Sequence, residues 1–370
     1  MSRGKIKETK TDTVLLVLVL LLAVFGLVML FSISEYNGRV RFGDSAYYFK
    51  KQLFATALGL LAMYIVAETD YHFFVRLAPA AYLLSMGLST AVLLVGQEIN
   101  GSKRWLNFGP LSFQPSEFAK VAVILFLTWQ IGRSKKSTAG FWFMCRTMLT
   151  LLPIVGLVGS NNLSTAIIIL GIGVVVIFVS DPGYARFIGM GAAGVAVIGI
   201  FLAAESYRLE RLAIWRNPEK YEKGFQTIQG LYAIGSGGIF GRGLGNSLQK
   251  LGFVPEAQND MIFSVICEEL GLAGGVVLIL LFVLLLWRLC VSIMHAPDLQ
   301  GALLCGGIMG HLAMQVILNI AVVTNTIPNT GITLPFVSYG GTSVVFLLGE
   351  MGLALGVSSH RKGVYTYNRK

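Results

Sequence analysis

The sequence predicts an all-α, polytopic integral membrane protein with ten transmembrane helices. Only 13% of its 370 residues are charged, whereas a soluble globular domain carries about 25% charged residues. Apolar runs that are long enough, or nearly long enough, to cross a bilayer recur along the whole chain. The runs are residues 14–33, 51–67, 77–96, 118–132, 144–159, 163–180, 187–204, 270–289, 300–323 and 343–358. A large polar loop separates the seventh run from the eighth.

The first run is predicted to span the membrane. It follows several lysines, but it is longer than the hydrophobic region of a signal peptide, and no small-residue cleavage site follows it. Ten helices place both chain ends on one side, and basic clusters at both ends and near Arg133 indicate that this side is cytoplasmic. Residues 1–13 and 359–370 are then cytoplasmic, and the 205–262 loop is extracytoplasmic.

Residues 1–370 are predicted to form a single membrane domain, since the sequence shows no internal repeat and no low-complexity linker. Four cysteines without a C-x-x-C pair indicate buried free thiols, and four scattered histidines show no metal-ligand spacing. The net charge of +10 fits contact with anionic membrane lipids. Nucleic-acid binding is excluded, because it would require a soluble basic domain.

The outer stretch before the fourth helix contains a candidate ion pair. Pro115 is typical of the first turn of a helix. Glu117 and Lys120 are three residues apart on that helix, so their side chains share a face and can pair. Two interpretations remain: the charges extend to the membrane surface, or the pair faces a hydrophilic cavity inside the protein.

The large loop contains a glycine-rich stretch, GSGGIFGRGLG, from Gly235 to Gly245. A dinucleotide-binding G-x-G-x-x-G motif would need glycine where Phe240 stands, and no phosphate-loop lysine-serine pair follows. ATP and NAD are also cytoplasmic, whereas this loop is predicted outside. We therefore expect the glycines to let the backbone turn tightly and approach another segment or a ligand closely.

The strongest candidate for a reactive group is Asp260, which ends a polar stretch where the chain re-enters the membrane at Met261. A carboxyl group partly removed from water has its pKa raised toward neutrality, which suits a general base. A solvated loop carboxylate and a helix cap are the alternative interpretations. Residues 325–342 contain two prolines and three glycines, so this segment is predicted to be non-helical and to line a cavity with Asp260.

The predicted outer location restricts the chemistry. An enzyme outside the cytoplasm lacks ATP, so a synthetic reaction there needs an activated substrate. A lipid-linked pyrophosphate sugar fits, because the lipid lies against helices, arginines bind the pyrophosphate and a carboxylate deprotonates a sugar hydroxyl. The candidate arginines are Arg104, Arg208, Arg211, Arg216 and Arg242. A pyrophosphate substrate is compatible with a divalent cation, although the sequence shows no recognisable set of metal ligands.

Four stretches carry a resemblance to a known family. They are NGSKRWLNFGPLSFQPSEFAK from Asn100, AIGSGGIFGRGLGNSLQKLGFVPEAQNDMIFSVICEELG from Ala233, NTIPNTGITLPFVSYGGTS from Asn325, and a weaker YYFKKQ from Tyr47. Over nearly its whole length the chain resembles the SEDS family of shape, elongation, division and sporulation proteins, the FtsW/RodA/SpoVE group of bacteria.

The resemblance implies a peptidoglycan glycosyltransferase that polymerises lipid II into β-1,4 glycan on the outer face of the bacterial cytoplasmic membrane. It implies a class B penicillin-binding protein as partner, together with other division or sporulation proteins. Asp260 matches the family's catalytic acid, which acts as base to the acceptor's 4-hydroxyl while that oxygen attacks donor C1 and undecaprenyl pyrophosphate leaves. Glu117 and Lys120 match a cavity-lining acid and base. Further substrate-binding candidates in the matching stretches are Arg104, Arg242, Lys250, Glu256, Asn329 and Ser338.

The chain also departs from the family pattern. Gln258 stands where the family often has histidine, and Asn162 stands at the acid of a Q-P-D-L-G-T-A stretch, which puts a role for that position in doubt. The motif GLGNSLQKL, from Gly243 to Leu251, resembles the division and sporulation branch of the family. Two alternative functions remain, a lipid II flippase and a non-catalytic scaffold for the penicillin-binding protein, and an essential Asp260 would favour the enzyme over both.

Overall fold

A computed structural model describes residues 11–99, 102–108, 111–133, 140–180, 199 and 206–359. Most of these residues are helical. The helices are α1 (Thr13–Phe42), α2 (Tyr47–Glu68), α3 (Tyr71–Val95), α4 (Pro115–Gly132), α5 (Phe141–Leu149), α6 (Leu152–Gly159), α7 (Leu163–Ser180), α8 (Ser206–Arg216), α9 (Phe225–Ser236), α10 (Ile262–Met294), α11 (Leu299–Val323) and α12 (Gly341–Ser359). Each other predicted apolar run overlaps helix in the described residues, and the run at 187–204 lies outside them apart from residue 199.

Seven described helices are long and apolar enough to cross a membrane, namely α1, α2, α3, α7, α10, α11 and α12. Helices α5 and α6 together make an eighth candidate span, which is bent by 41°. Helix α4, which carries Glu117 and Lys120, packs against α3, α7 and α11. The described part of the chain is therefore a polytopic helical bundle.

Helices α11 and α12 occupy the centre of this bundle. In each, 67% of the most apolar 18-residue stretch is buried, against 28% in α2, α3 and α10, so the latter three expose more of their apolar surface. Small residues allow α2 and α12 to pack backbone against backbone. A Cβ atom at Gly352 would lie 2.6 Å from the carbonyl oxygen of Met63, so no larger residue fits there without a shift.

A small antiparallel sheet precedes α4, in a segment that the sequence predicts only as a polar stretch. Its strands are β1 (Gln97–Ile99), β2 (Ser102–Phe108) and β3 (Leu111–Phe113), in the order β1-β2-β3. Leu106 of β2 is buried and pairs with Phe113 of β3. An Asn-Gly pair between β1 and β2 is a strong hairpin signal. The all-α prediction fits the candidate membrane helices and is corrected for this segment, where short strands are hard to distinguish from a loop.

The large loop folds back onto α10. That helix begins at Ile262, before the predicted start of the eighth run, and is broken at Gly271, which has φ 70° and ψ −172°. The amide of Leu272 donates to the carbonyl of Gly238 at 2.9 Å beside this break. A Cβ atom at Gly241 would lie 2.2 Å from the carbonyl oxygen of Glu269. The predicted close approach of the glycine-rich backbone to another segment is confirmed.

Candidate functional site

A cavity of about 3100 Å³ brings together most of the predicted site residues. Its wall includes apolar side chains of α2 and α7, such as Phe54, Leu58, Ile167 and Ile168, and polar residues between positions 325 and 333. The predicted residues that line it are Arg104, Glu117, Lys120, Glu256, Asp260 and Asn329. Arg242, Lys250 and Ser338 do not line it.

Asp260 lies in the cavity wall, two residues before α10, with 8% of its surface exposed. Burial and, to a smaller extent, the nearby Glu256 raise the pKa of its carboxyl to about 7, against the opposing effects of Arg211 and Arg104. A carboxyl group that titrates near neutrality can take a proton from a hydroxyl group at physiological pH. A raised pKa is a property that a general base requires, and the catalytic role of Asp260 stays a prediction.

The backbone on both sides of Asp260 is held by side chains from two other segments. Asn319 of α11 donates from Nδ2 to the Asp260 carbonyl at 2.8 Å and to the Ile332 carbonyl at 2.7 Å. The Ser338 hydroxyl donates to the Asn259 carbonyl at 2.6 Å. Ser338 therefore anchors the segment before Asp260, and its hydroxyl is engaged with backbone behind the cavity wall.

A polar chain connects the Asp260 carboxylate with an arginine of α8. Gln226 of α9 donates from Nε2 to Asp260 Oδ1 at 3.4 Å and accepts from Asn329 Nδ2 at 3.0 Å. The Asn329 carbonyl in turn accepts from Arg211 Nη1 at 2.8 Å. Sequence reasoning included Arg211 among five arginines but missed Gln226 and Asn319, since a single amide side chain carries no local signal of its distant partners.

Arg104 approaches the same place from β2. Its Nε donates to the Asn161 carbonyl at 3.3 Å, which directs the guanidinium along the cavity wall. A Cβ atom at Gly331 would lie 3.8 Å from Arg104 Nη1 and 3.9 Å from Asp260 Oδ2. Arg104 and Asp260 therefore both border Gly331, and a cation stands within reach of any anionic group bound beside Asp260.

The predicted ion pair on α4 forms inside the protein. Lys120 Nζ lies 2.8 Å from Glu117 Oε1, and both side chains are buried. The interpretation in which these charges extend to the membrane surface is therefore wrong, and the interpretation in which they face a cavity is confirmed. Lys120 is also tied to the central helix α11, because its Nζ donates to Gln315 Oε1 at 3.3 Å.

Arg242 and Lys250 contact two adjacent acids of α10, Glu268 and Glu269, which do not line the cavity. Lys250 Nζ lies 2.9 Å from Glu269 Oε1 in a fully buried ion pair. Arg242 Nη1 lies 3.7 Å from Glu268 Oε1, whose carboxylate also accepts from the Leu248 amide at 3.1 Å. These contacts fasten the glycine-rich stretch and the following turn to α10. Among the described residues, no group of histidine, cysteine and acidic side chains is arranged to hold a metal ion.

Comparison with known proteins places the chain in a family. A model for the FtsW, RodA and SpoVE proteins, described as "Cell cycle protein", matches residues 12–363. The chain belongs to the FtsW/RodA/SpoVE family. Stage V sporulation protein E of Bacillus subtilis is 38% identical over 369 residues, covering 96% of this chain and 99% of that protein. A probable peptidoglycan glycosyltransferase FtsW of Trichlorobacter lovleyi is 34% identical over 368 residues, covering 97% and 96%.

Solved structures show the same FtsW/RodA/SpoVE fold. A chain of a peptidoglycan synthase complex, studied for its structural coordination of polymerization and crosslinking, aligns with a TM-score of 0.80 and 31% identity over 95% of this chain and 98% of that one. The rod shape determining protein RodA of Thermus thermophilus aligns with a TM-score of 0.70 and 31% identity over 95% and 98%. The predicted membership of this family is confirmed.

Proposed function

We propose that this chain is a peptidoglycan glycosyltransferase that polymerises lipid II, with Asp260 as its general base. The observation that carries the proposal is the buried Asp260 carboxyl, whose pKa is raised to about 7 in a cavity that also presents Arg104 and Lys120. The relatives named as probable peptidoglycan glycosyltransferases support the reaction class. The relative named Stage V sporulation protein E supports a role in division or sporulation.

The proposed step is a single displacement at the donor sugar. Asp260 accepts the proton of the acceptor's 4-hydroxyl as that oxygen forms a bond with donor C1. The bond between C1 and the pyrophosphate oxygen breaks, and its electron pair leaves with undecaprenyl pyrophosphate. Arg104, Arg211 and Lys120 supply positive charge to the pyrophosphate, and the apolar side chains that α2 and α7 contribute to the wall accommodate the lipid. A divalent cation bound with the pyrophosphate would add to this charge.

The proposed arrangement in the membrane has ten spans in one domain of residues 1–370. The seven apolar helices and the bent pair supply eight candidates, α4 a ninth, and the run at 187–204 the tenth. With both termini in the cytoplasm of a bacterium, the 205–262 loop and the cavity face outward. Pyrophosphate-linked precursors then supply the energy for synthesis where ATP is absent.

A class B penicillin-binding protein is the proposed partner. The solved complex that aligns with this chain concerns the coordination of polymerization and crosslinking, which supports pairing of this chain with a crosslinking enzyme. Other division or sporulation proteins and the surrounding membrane lipids complete the proposed set of contacts.

Labelled lipid II tests the proposed reaction. The purified protein and its class B partner are incubated with lipid II, and the products are separated by length. Glycan chains of many lengths are the expected result. Movement of lipid II across vesicles without glycan formation would instead identify a flippase, and absence of both activities with intact activation of the partner would identify a scaffold.

A further inference from the structure

A buried hydrogen-bond chain runs from the cavity wall into the centre of the bundle. Lys120 Nζ contacts Glu117 Oε1 at 2.8 Å and donates to Gln315 Oε1 at 3.3 Å. Beyond Gln315, His311 Nε2 lies 2.8 Å from the same oxygen, and His311 Nδ1 lies 2.8 Å from Glu350 Oε2. All five side chains are more than nine-tenths buried, and His311 and Glu350 stand behind the cavity wall.

The direction of each hydrogen bond in this buried series follows from the groups at the two ends of the Gln315 amide. An ammonium group only donates and a backbone carbonyl only accepts. Gln315 lies between such groups, with Lys120 on its oxygen side and the Thr333 carbonyl 3.0 Å from Nε2. Its amide therefore cannot be flipped, and Oε1 must also accept from His311. Nε2 of His311 consequently carries a hydrogen.

The contact of His311 with Glu350 fixes this tautomer. Because Nε2 carries a hydrogen, one further proton lies between Nδ1 and the Glu350 carboxylate. Whether that proton rests on the ring or on the carboxyl group, the two residues together are neutral. A neutral pair can remain buried in the bundle, where a lone charge would be strongly destabilising. Without Glu350, the ring would be free to turn an unprotonated nitrogen toward Gln315.

We propose that His311 and Glu350 are positioning residues that hold Lys120 toward a diphosphate group in the cavity. The identification of this diphosphate group as part of a reacting substrate rests on the proposed function. Two of the three N–H donors of Lys120 are engaged by Glu117 and Gln315 in the described part of the chain. The third N–H donates to the anion, and its direction is set by the other two.

Inorganic pyrophosphate is the probe for this role. Its binding to the full-length purified protein is measured by calorimetry, with the melting temperature of each variant as a check on folding. The paired change His311→Leu/Glu350→Leu removes the positioning pair without leaving a buried charge unpaired. We expect it to weaken pyrophosphate binding about tenfold. A displacement of about 1 Å can reduce the contribution of a positioned group by up to about 100-fold.

A conservative variant separates positioning from a merely structural role. Glu350→Gln can donate its amide hydrogen to Nδ1 and so retains the hydrogen on Nε2 of His311. We expect this variant to bind pyrophosphate as the wild type does. In lipid II polymerisation, His311→Leu/Glu350→Leu should raise KM more than it lowers kcat, since the affected contact is already present in the bound substrate.

A background that lacks the α4 ion pair shows whether the effect passes through Lys120. In Glu117→Gln/Lys120→Met, the further change His311→Leu/Glu350→Leu should leave pyrophosphate binding unaltered. Wild-type affinity in the His311→Leu/Glu350→Leu protein, or an equal loss in both backgrounds, would overturn the inference. If the binding pattern holds but the wild-type protein makes no glycan, the proposed function fails while the positioning of Lys120 stands.

Discussion

The Asn319 side chain ties Asp260 to the non-helical segment opposite it. Its Nδ2 group donates to the carbonyl oxygens of Asp260 and Ile332 at 2.8 and 2.7 Å, and Asn319 itself is fully buried. One amide group of the central helix α11 thus sets the distance between the two segments that border the cavity around the candidate base.

Replacement of Asn319 by leucine should remove this connection at similar side-chain volume. Two buried carbonyl groups lose a donor, and each unsatisfied group destabilises by about 1–3 kcal/mol. We expect a lower melting temperature and at least a tenfold loss of glycan synthesis. Thr324→Ala, at an exposed site near the end of the same helix, is the matched control. Normal activity in Asn319→Leu would contradict the role of this residue in placing Asp260.

The pH dependence of glycan synthesis should report the Asp260 carboxyl. Because its pKa is raised to about 7, the rate should rise as the pH increases through about 7, where the base loses its proton. Glu256 is one cause of the raised pKa, so Glu256→Gln should move the midpoint of the rate profile to lower pH. Initial rates measured from pH 5.5 to 9 provide the test. An unchanged midpoint in Glu256→Gln would show that another group limits the rate.

Removal of Arg104 should affect substrate binding and the base together. The Arg104 guanidinium lowers the pKa of Asp260 and lies within reach of an anion beside it. Arg104→Ala should therefore raise KM for lipid II about tenfold, as expected for loss of one charge-assisted contact, and should move the rate midpoint to higher pH. Arg39→Ala, which removes an exposed ion pair with Glu35, is the control. Equal KM values in both variants would remove Arg104 from the substrate site.

Lys250 should prove important for stability. Its ion pair with Glu269 is buried on both sides, so Lys250→Met leaves a buried carboxylate without its cation and should destabilise the protein by about 3–5 kcal/mol. The exposed pair of Lys50 with Asp44 gives the comparison, since surface pairs contribute about 0–1 kcal/mol. Thermal melting in detergent distinguishes the two. A specific rise in KM for Lys250→Met, with unchanged melting, would instead support the substrate-binding role predicted from sequence.

The sequence was sufficient where the determining interaction is local. Apolar runs located the membrane helices within the described residues, and the three-residue spacing of Glu117 and Lys120 predicted their contact. It was insufficient where partners are remote. Asn319 and Asp260 are separated by 59 positions, and Lys250 reaches Ser32 across 218. No periodicity or motif spacing connects such pairs, because tertiary packing alone brings them together.

Glu268 and Glu269 are a second case in which the local sequence does not predict the environment of a side chain. Their place near a predicted helix start by itself indicates only that they complement the helix dipole. Both are instead fully buried and accept hydrogen bonds from the folded-back loop. Burial of an acid depends on whether another segment returns to cover it, and composition does not reveal that.

The exchange of Asp260 for asparagine tests the central claim most directly. The folded-state pKa of Asp260 lies above its ordinary value, so the stability that its protonated form contributes at low pH is lost as the pH rises through about 7. Asp260→Asn cannot ionise, and we expect it to melt at a higher temperature than the wild type at pH 8. We also expect it to form no glycan from labelled lipid II with the class B partner present. Glycan chains at the wild-type rate from Asp260→Asn would contradict the assignment of Asp260 as the base.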